Sequence, residues 1–129
     1  ALAGRGVMIE GAPGSGKSSL ALGLIDRGAV LVGDDSLLVA ALDGRLVAHP
    51  HPETRGLLEV CNLGLIAMSV CDAAPVSLLI RLDREAPRFI EQAATVERLG
   101  CALPAIALWP DIALNPIKAE LALLRFGIA

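Results

Sequence analysis

Residues 11–18 carry the octapeptide that decides the fold of this chain, Gly11-Ala12-Pro13-Gly14-Ser15-Gly16-Lys17-Ser18. The octapeptide has the spacing G-x-x-x-x-G-K-S. The apolar residues before it, Val7-Met8-Ile9, favour a buried strand, and residues 19–25 after it are typical of the first turns of a helix. A strand, a glycine-rich loop and a helix in this order are the context in which the motif binds phosphate.

The loop predicts a binding site for a nucleoside triphosphate. Its glycines let successive backbone N–H groups turn towards an anion, and the helix N-terminus adds partial positive charge. Lys17 is expected to reach the β- and γ-phosphates, and the Ser18 hydroxyl to bind Mg²⁺. A glycine-rich turn that matches the pattern by chance is the alternative, and both flanking elements argue against it.

The length and composition predict one domain over residues 1–129. Hydrophobic residues make up 54% of the chain and aromatic residues only 2%, which predicts an aliphatic core and a sheet covered on both faces. No apolar run approaches the roughly 18–20 residues of a membrane helix, so we expect no membrane partner. The net charge of -3 argues against a nucleic-acid partner, because such partners usually require a basic face.

Three cysteines bear on the compartment. Cys61, Cys71 and Cys101 do not have the spacing of a zinc site, and an odd number makes a disulfide framework improbable. Each lies in an apolar neighbourhood and is expected to be a small buried hydrophobic residue. Free thiols and dependence on a nucleotide point to the reducing cytoplasm.

Hydrophobic periodicity predicts alternating elements and an α/β fold class. Helices are expected from the loop to Arg27, over 87–99, and over 115–126 with Gly127 ending the last. Strands are expected over 29–32, 37–40, 46–47, 57–68 with an interruption, 76–80 and 106–108, and Asp43-Gly44 is typical of a hairpin turn. Together these elements predict a mixed, mainly parallel sheet flanked by helices.

Two adjacent acids follow the first predicted strand after the loop. Asp34 and Asp35 are expected at the carboxyl edge of the sheet, beside the phosphates. Since neighbouring residues at a strand end cannot face the same way, one is expected to face the metal and the other the acceptor hydroxyl. The second carboxylate would act as a general base. A solvated Gly-Asp-Asp-Ser turn without function is the alternative.

These segments together resemble a known family. The loop, Arg27-Gly28, Asp34-Asp35, Leu57-Leu58-Glu59-Val60 and Leu63-Gly64-Leu65-Ile66 are similar to the C-terminal kinase domain of HPr kinase/phosphorylase, in the short form that lacks the N-terminal domain. The similarity runs from about Gly6 to Gly100 and more loosely to Phe126. It implies a phosphate-loop kinase that uses ATP and Mg²⁺ to phosphorylate a serine of the phosphocarrier protein HPr, in a homo-oligomer that is commonly a hexamer.

The resemblance also implies residue roles. Lys17 matches the catalytic lysine of the loop, Ser18 a Mg²⁺ ligand, and Asp35 the proton acceptor, with Asp34 as its acidic neighbour. Glu59 matches a glutamate that binds Mg²⁺; from the residues alone it is equally a polar side chain on the outer face of a strand. Arg98, in Glu97-Arg98-Leu99-Gly100, matches a catalytic arginine; its alternative is a cation that stabilises a helix C-terminus.

The chain departs from the family pattern in three places. Cys61-Asn62 replaces the Arg-Gly of the family signature, and the basic loop of longer members is absent before the last helix. The family's catalytic histidine would precede Ala1. Because many members also run the reverse reaction, and that reaction must hold two anions close together, the missing arginines predict a kinase with weak or no phosphorylase activity.

Three functions are compatible with these residues. The first is a serine kinase acting on HPr or an HPr-like carrier. The second is a phosphate-loop kinase for a small molecule, which would need lid and acceptor-binding insertions that 129 residues hardly accommodate. The third is a nucleotide-sensing homologue with decayed catalysis, which Cys61-Asn62 suggests.

Overall fold

The computed structural model of the protein describes residues 1–129 and contains eight strands and two helices. In chain order these are β1 (Gly6–Gly11), α1 (Lys17–Asp26), β2 (Leu38–Leu42), β3 (Arg45–His49), β4 (Leu57–Val60), β5 (Gly64–Ala67), β6 (Ala74–Leu82), β7 (Ala94–Arg98), β8 (Cys101–Leu108) and α2 (Asn115–Phe126). Neither helix is long and apolar enough to cross a membrane.

Six strands form one mixed sheet around β6. β6 pairs in parallel with both β1 and β8, whereas β2–β3, β3–β6 and β7–β8 are antiparallel pairs. The α/β class and the mixed sheet are confirmed. The expectation of a mainly parallel sheet is corrected, because only the three central strands are parallel and the hairpins β2–β3 and β7–β8 extend the sheet by antiparallel pairing. β4 and β5 pair only with each other.

The two faces of the sheet are covered differently. Leu78, Ile80 and Leu82 of β6 contact apolar side chains of both helices in one buried cluster. Leu79, on the other face, packs in a second cluster with residues of β3 and β8 and the partly buried Val32 and Leu37. Both helices therefore lie on one face, and strands and loops of the chain cover the other.

The predicted helix over residues 87–99 is wrong. Ala94–Arg98 is strand β7, which pairs with Cys101–Leu108 through the two-residue turn Leu99-Gly100. Both turn residues have positive φ, 51° and 76°, the conformation of a tight hairpin turn. The helical spacing was overridden because the apolar strand β8 offers a complete row of backbone partners and Thr95-Val96 is β-branched.

The predicted strand over residues 29–32 is also absent as a regular element. Only Leu31 forms an isolated parallel bridge, with Val70, and its carbonyl accepts a hydrogen bond from the Cys71 amide. β1 pairs only with β6, so this segment does not enter the large sheet. An apolar run of four residues fits a buried loop as well as a strand, which is why periodicity alone fails here.

The remaining elements follow the predictions closely. Asp43 and Gly44 form the β2–β3 turn with positive φ values of 51° and 77°, and the interruption predicted within residues 57–68 is the turn between β4 and β5. α2 spans the predicted residues. Leu114 is the N-cap of α2, and the side-chain amide of Asn115 donates to the Trp109 carbonyl at 2.8 Å.

The cysteines are less buried than expected, and two of the three aromatic residues are exposed. Only Cys101 is buried; Cys71 is half-buried and Cys61 is exposed. Phe126 packs against the helical core cluster, whereas Phe89 is 84% exposed and Trp109 47% exposed. Aliphatic side chains therefore fill the core almost alone.

Candidate functional site

The phosphate loop joins strand β1 to helix α1, which is the order of elements that the sequence predicts. β1 ends at Gly11 and α1 begins at Lys17. Gly16 is the N-cap residue, has a φ of 101°, and offers no side chain to the first amides of the helix. A Cβ at Gly11 would lie 2.5 Å from the Ser15 hydroxyl oxygen, so any other residue there would force Ser15 to move. The amides at the start of α1 are thus left without a side-chain cap, as an anion site requires.

Lys17 lies folded over this loop. Its Nζ donates to the Gly11 carbonyl at 3.2 Å and lies 3.6 Å from the Asp35 carboxylate. The side chain is 27% exposed. Because the ammonium group has no other hydrogen bond or ion pair, it can turn from the carbonyl to a phosphate at little cost.

Asp34 connects the start of α1 with the β4–β5 hairpin. The Ser18 hydroxyl donates to Asp34 Oδ1 at 3.2 Å, and the Glu59 amide donates to Oδ2 at 3.0 Å. Both carboxylate oxygens are therefore engaged. The aspartate is half-buried, and its contacts fix its orientation towards Ser18.

Asp35 has different surroundings from its neighbour. Its side chain is 78% exposed, and its one ionic partner is Lys17. The structure therefore brings Lys17, Ser18, Asp34 and Asp35 together and turns the two acids towards different partners. Asp35 is the carboxylate that an incoming hydroxyl group can approach.

The donor set around Ser18 fits Mg²⁺. A hydroxyl oxygen and a carboxylate oxygen lie 3.2 Å apart there, and Mg²⁺ in phosphate sites prefers one or two such oxygens together with water and substrate phosphates. No group of three or more His, Cys, Asp or Glu side chains could hold a metal ion by itself. Glu59 is exposed and reaches the site only through its backbone amide.

Arg98 reaches the site from the end of a strand and not from a helix. Its guanidinium group contacts the Glu10 carboxylate at the end of β1, with Nη2–Oε1 at 3.0 Å and Nη2–Oε2 at 3.1 Å. It lines a cavity of about 550 Å³ that Lys17, Asp34 and Asp35 also line. Glu10 is not among the residues predicted for the site; its only signal in the sequence is that it is a single acid at the end of the apolar run of β1.

Comparison with known proteins identifies the family. Residues 1–105 match the family model of the HPr Serine kinase C-terminal domain. The chain belongs to this family. That match begins five residues before the similarity noted in the sequence, and it ends at residue 105, short of the looser similarity that runs to Phe126.

Curated relatives carry the name HPr kinase/phosphorylase. That of Clostridium tetani is 38% identical over 88 residues, 63% of this chain and 29% of that protein. That of Mycoplasma mycoides is 28% identical over 104 residues, 75% of this chain and 32% of that protein. The chain thus spans less than a third of the length of either relative.

A solved structure has the same fold. The structure of the Hpr(Ser) kinase/phosphatase from Coxiella burnetii superposes with a TM-score of 0.78, covering 95% of this chain and 92% of that chain at 24% identity. The phosphate-loop kinase fold expected for an HPr serine kinase C-terminal domain is therefore confirmed.

The place where this family member departs from the signature is the β4–β5 turn. Asn62 has a φ of 69°, a left-handed conformation that glycine adopts freely and asparagine tolerates. Asn62 can therefore replace a glycine without changing the turn. Cys61 beside it is exposed and supplies none of the positive charge of an arginine.

Proposed function

We propose that this HPr serine kinase domain transfers the γ-phosphoryl group of ATP to a serine of HPr or an HPr-like carrier. The observation that carries the proposal is that the two adjacent acids have different partners. Asp34 accepts a hydrogen bond from the Ser18 hydroxyl, whereas Asp35 is exposed beside Lys17. A phosphoryl transfer site needs these two functions at one phosphate loop: an oxygen ligand set for the metal and a free carboxylate for the acceptor.

The phosphate loop and its lysine would bind and orient the nucleotide. The amides at the start of α1 bind the β- and γ-phosphates, and Lys17 exchanges the Gly11 carbonyl for a phosphate oxygen. The oxygens of Ser18 and Asp34 would hold Mg²⁺, which supplies positive charge to these phosphates. Glu59 of β4, whose backbone amide donates to Asp34, would complete the oxygen ligands by turning its side chain inward.

Asp35 would act as the general base. The serine hydroxyl oxygen forms a bond to the γ-phosphorus, the bond from that phosphorus to the β,γ-bridging oxygen breaks, and ADP leaves. The hydroxyl proton passes to the Asp35 carboxylate. The guanidinium group of Arg98 would stabilise the charge that develops on the transferring group.

We propose that the reaction runs mainly forwards. The reverse reaction brings phosphoserine and inorganic phosphate together, and two such charges at 4 Å repel by roughly 4 kcal/mol at an effective dielectric constant of 20. The uncharged Cys61 at the β4–β5 turn offers nothing to offset this repulsion. Release of pyrophosphate from phospho-HPr and phosphate at a rate comparable to the forward reaction would refute this part.

The compartment, the oligomeric state and the partners of the reaction are proposed from the family resemblance. The family resemblance favours a cytoplasmic homo-oligomer, commonly a hexamer, with HPr as its protein partner and ATP as phosphoryl donor. The alternative is a nucleotide sensor without catalysis, which the exposed, unpaired side chain of Glu59 and the uncharged Cys61 would suit.

Incubation with γ-labelled ATP, Mg²⁺ and purified HPr separates these functions. We expect label on a serine of HPr, and no label when that serine is replaced by alanine. Nucleotide binding without transfer would support the sensor, and label on a small-molecule acceptor would support the second class of kinase.

A further inference from the structure

Glu10 is a charged residue in an otherwise apolar strand. It lies at the end of β1, directly before Gly11, on the face of the sheet that also bears Met8. Its side chain is 31% exposed. Burying two thirds of a carboxylate costs free energy unless cations and hydrogen bonds compensate it, so its partners explain its presence.

Two arginines provide that compensation. Arg98 contacts the Glu10 carboxylate through Nε at 3.3 Å and Nη2 at 3.0 Å and 3.1 Å. Arg81, which is opposite Glu10 on β6, lies 3.7 Å from Oε2. One carboxylate facing two guanidinium groups leaves a net positive charge beside the phosphate loop, which is available to an anionic phosphoryl group.

The contact also fixes the position of the β7–β8 turn. β8 pairs with β6 only from Ala105 onward, so its first residues, 101–104, pair only with β7. Arg98 is the last residue of β7 and its Nη1 donates to the Glu97 carbonyl at 3.0 Å. The two contacts of the guanidinium group, with Glu10 and with Glu97, define the plane in which it is held.

We infer that Glu10 is a positioning residue, whose carboxylate holds the Arg98 guanidinium group at the opening of the phosphate loop. The inference rests on the proposed function, because it assigns Arg98 to the transferring phosphoryl group. Preorganised charges contribute most to transition-state stabilisation, since no reorganisation is needed at the moment of reaction. Glu10 therefore acts on catalysis through Arg98, without touching the nucleotide.

The test is Glu10→Gln, which preserves size and removes the charge. We expect kcat for carrier phosphorylation to fall about 10- to 100-fold while KM for ATP changes less than about twofold. The matched control is Glu120→Gln. Glu120 accepts two comparable bonds from Arg27 between the helices, outside the site, so that variant should retain wild-type kcat.

A double-mutant cycle separates positioning from a merely structural role. If Glu10 acts through Arg98, then Arg98→Gln and the double variant should have the same kcat, because the carboxylate has no other catalytic effect. Additive losses, or a wild-type kcat for Glu10→Gln beside an inactive Arg98→Gln, would overturn the inference and leave the proposed function intact. Wild-type kcat in Arg98→Gln would overturn the inference and the role proposed for Arg98, while transfer to the carrier would still stand.

A second readout does not require the carrier. ADP with aluminium fluoride and Mg²⁺ imitates the transferring phosphoryl group, so Glu10→Gln should weaken its binding about tenfold while ATP binding stays unchanged. Equal affinities of wild type and variant for both ligands would contradict the inference, whatever protein the phosphoryl group is transferred to.

Discussion

The phosphate-loop region, residues 6–26, and the β4–β5 hairpin, residues 57–67, are built in contrasting ways. The loop region is joined to the large sheet through β1 and to the helical core through Leu20 and Leu24. The hairpin pairs only with itself and exposes Leu63 and Leu65. The first region has a fixed framework, whereas the second is attached to the site by local contacts.

Asp34, which belongs to neither region, joins the two at the site through two hydrogen bonds. The Glu59 amide donates to Asp34, which accepts in turn from Ser18. The chain's departures from the family signature, Cys61 and Asn62, lie in the hairpin, and the loop octapeptide is intact. We therefore expect nucleotide binding to depend chiefly on the loop region, and the hairpin to adjust metal binding and reaction direction.

The largest effect is expected from Lys17→Ala. The ammonium group of Lys17 has only the Gly11 carbonyl and Asp35 as polar partners, so its loss should leave the fold intact and abolish phosphoryl transfer. Initial rates with labelled ATP measure this, and the far-UV circular dichroism spectrum should be unchanged. The chain's other lysine provides the control, because Lys118→Ala removes an amine that lies 3.9 Å from Asp111, outside the loop. Loss of the folded spectrum in Lys17→Ala would show that the residue is structural.

Asp35→Asn should lower the rate of phosphoryl transfer nearly as strongly as Lys17→Ala, and should change ATP binding little. Removing a general base lowers kcat roughly 10²- to 10⁴-fold, while ATP affinity should persist because Asp35 does not belong to the loop. Asp43→Asn is the matched control, an exposed acid in the β2–β3 turn. Stopped-flow nucleotide binding and carrier phosphorylation measure the two properties. Equal losses of both would assign Asp35 to the nucleotide site.

Glu59→Gln tests the hairpin side of the contrast. If this carboxylate completes the metal's oxygen ligands, the Mg²⁺ concentration for half-maximal rate should rise about tenfold with little change in the maximal rate. Glu53→Gln, at an exposed position just before the hairpin, should not change the Mg²⁺ dependence. A wild-type Mg²⁺ dependence in Glu59→Gln would limit the hairpin's role to its backbone bond with Asp34.

The smallest effect concerns how the loop region is anchored to α2. Hydrogen bonding to Arg27 lowers the pKa of Glu120 below its ordinary 4.5. A carboxyl group with a lowered folded-state pKa stabilises the fold above its unfolded pKa and loses that contribution as the pH falls through the folded value. Glu120→Gln should therefore lower Tm by a few degrees at most at neutral pH and have no effect well below pH 4.5. If the difference in Tm between wild type and Glu120→Gln were as large in acid as at neutral pH, the contact with Arg27 would not be its cause.

The sequence predicted the loop region well because its conformation is local. The glycines, the capping position and the apolar flanks each act within a few residues, so β1, the loop and α1 lie where the pattern places them. Asp34 and Asp35 do lie beside Lys17 and Ser18. The strand-end reason for expecting them there is wrong, because no strand forms over residues 29–32 and the two acids reach the site from a loop.

The long-range parts of the structure could not be predicted in the same way. β7 was mistaken for a helix because its strand conformation depends on pairing with β8. The Glu10–Arg98 contact joins residues 88 positions apart, and no local pattern specifies such a pair. The hydrogen bond from the Glu59 amide to Asp34 is likewise tertiary; the side-chain pattern of β4 indicated Glu59 but not which of its atoms reaches the site.

Mass spectrometry of HPr tests most directly whether this domain phosphorylates a serine of HPr. HPr is incubated with ATP, Mg²⁺ and the wild-type domain, in parallel with Lys17→Ala and Asp35→Asn. We expect one added phosphate, on a single serine of HPr, with the wild-type domain. We expect none with Lys17→Ala, and with Asp35→Asn a trace that accumulates orders of magnitude more slowly although ATP still binds. Unmodified HPr with a wild-type domain that binds ATP would contradict the account.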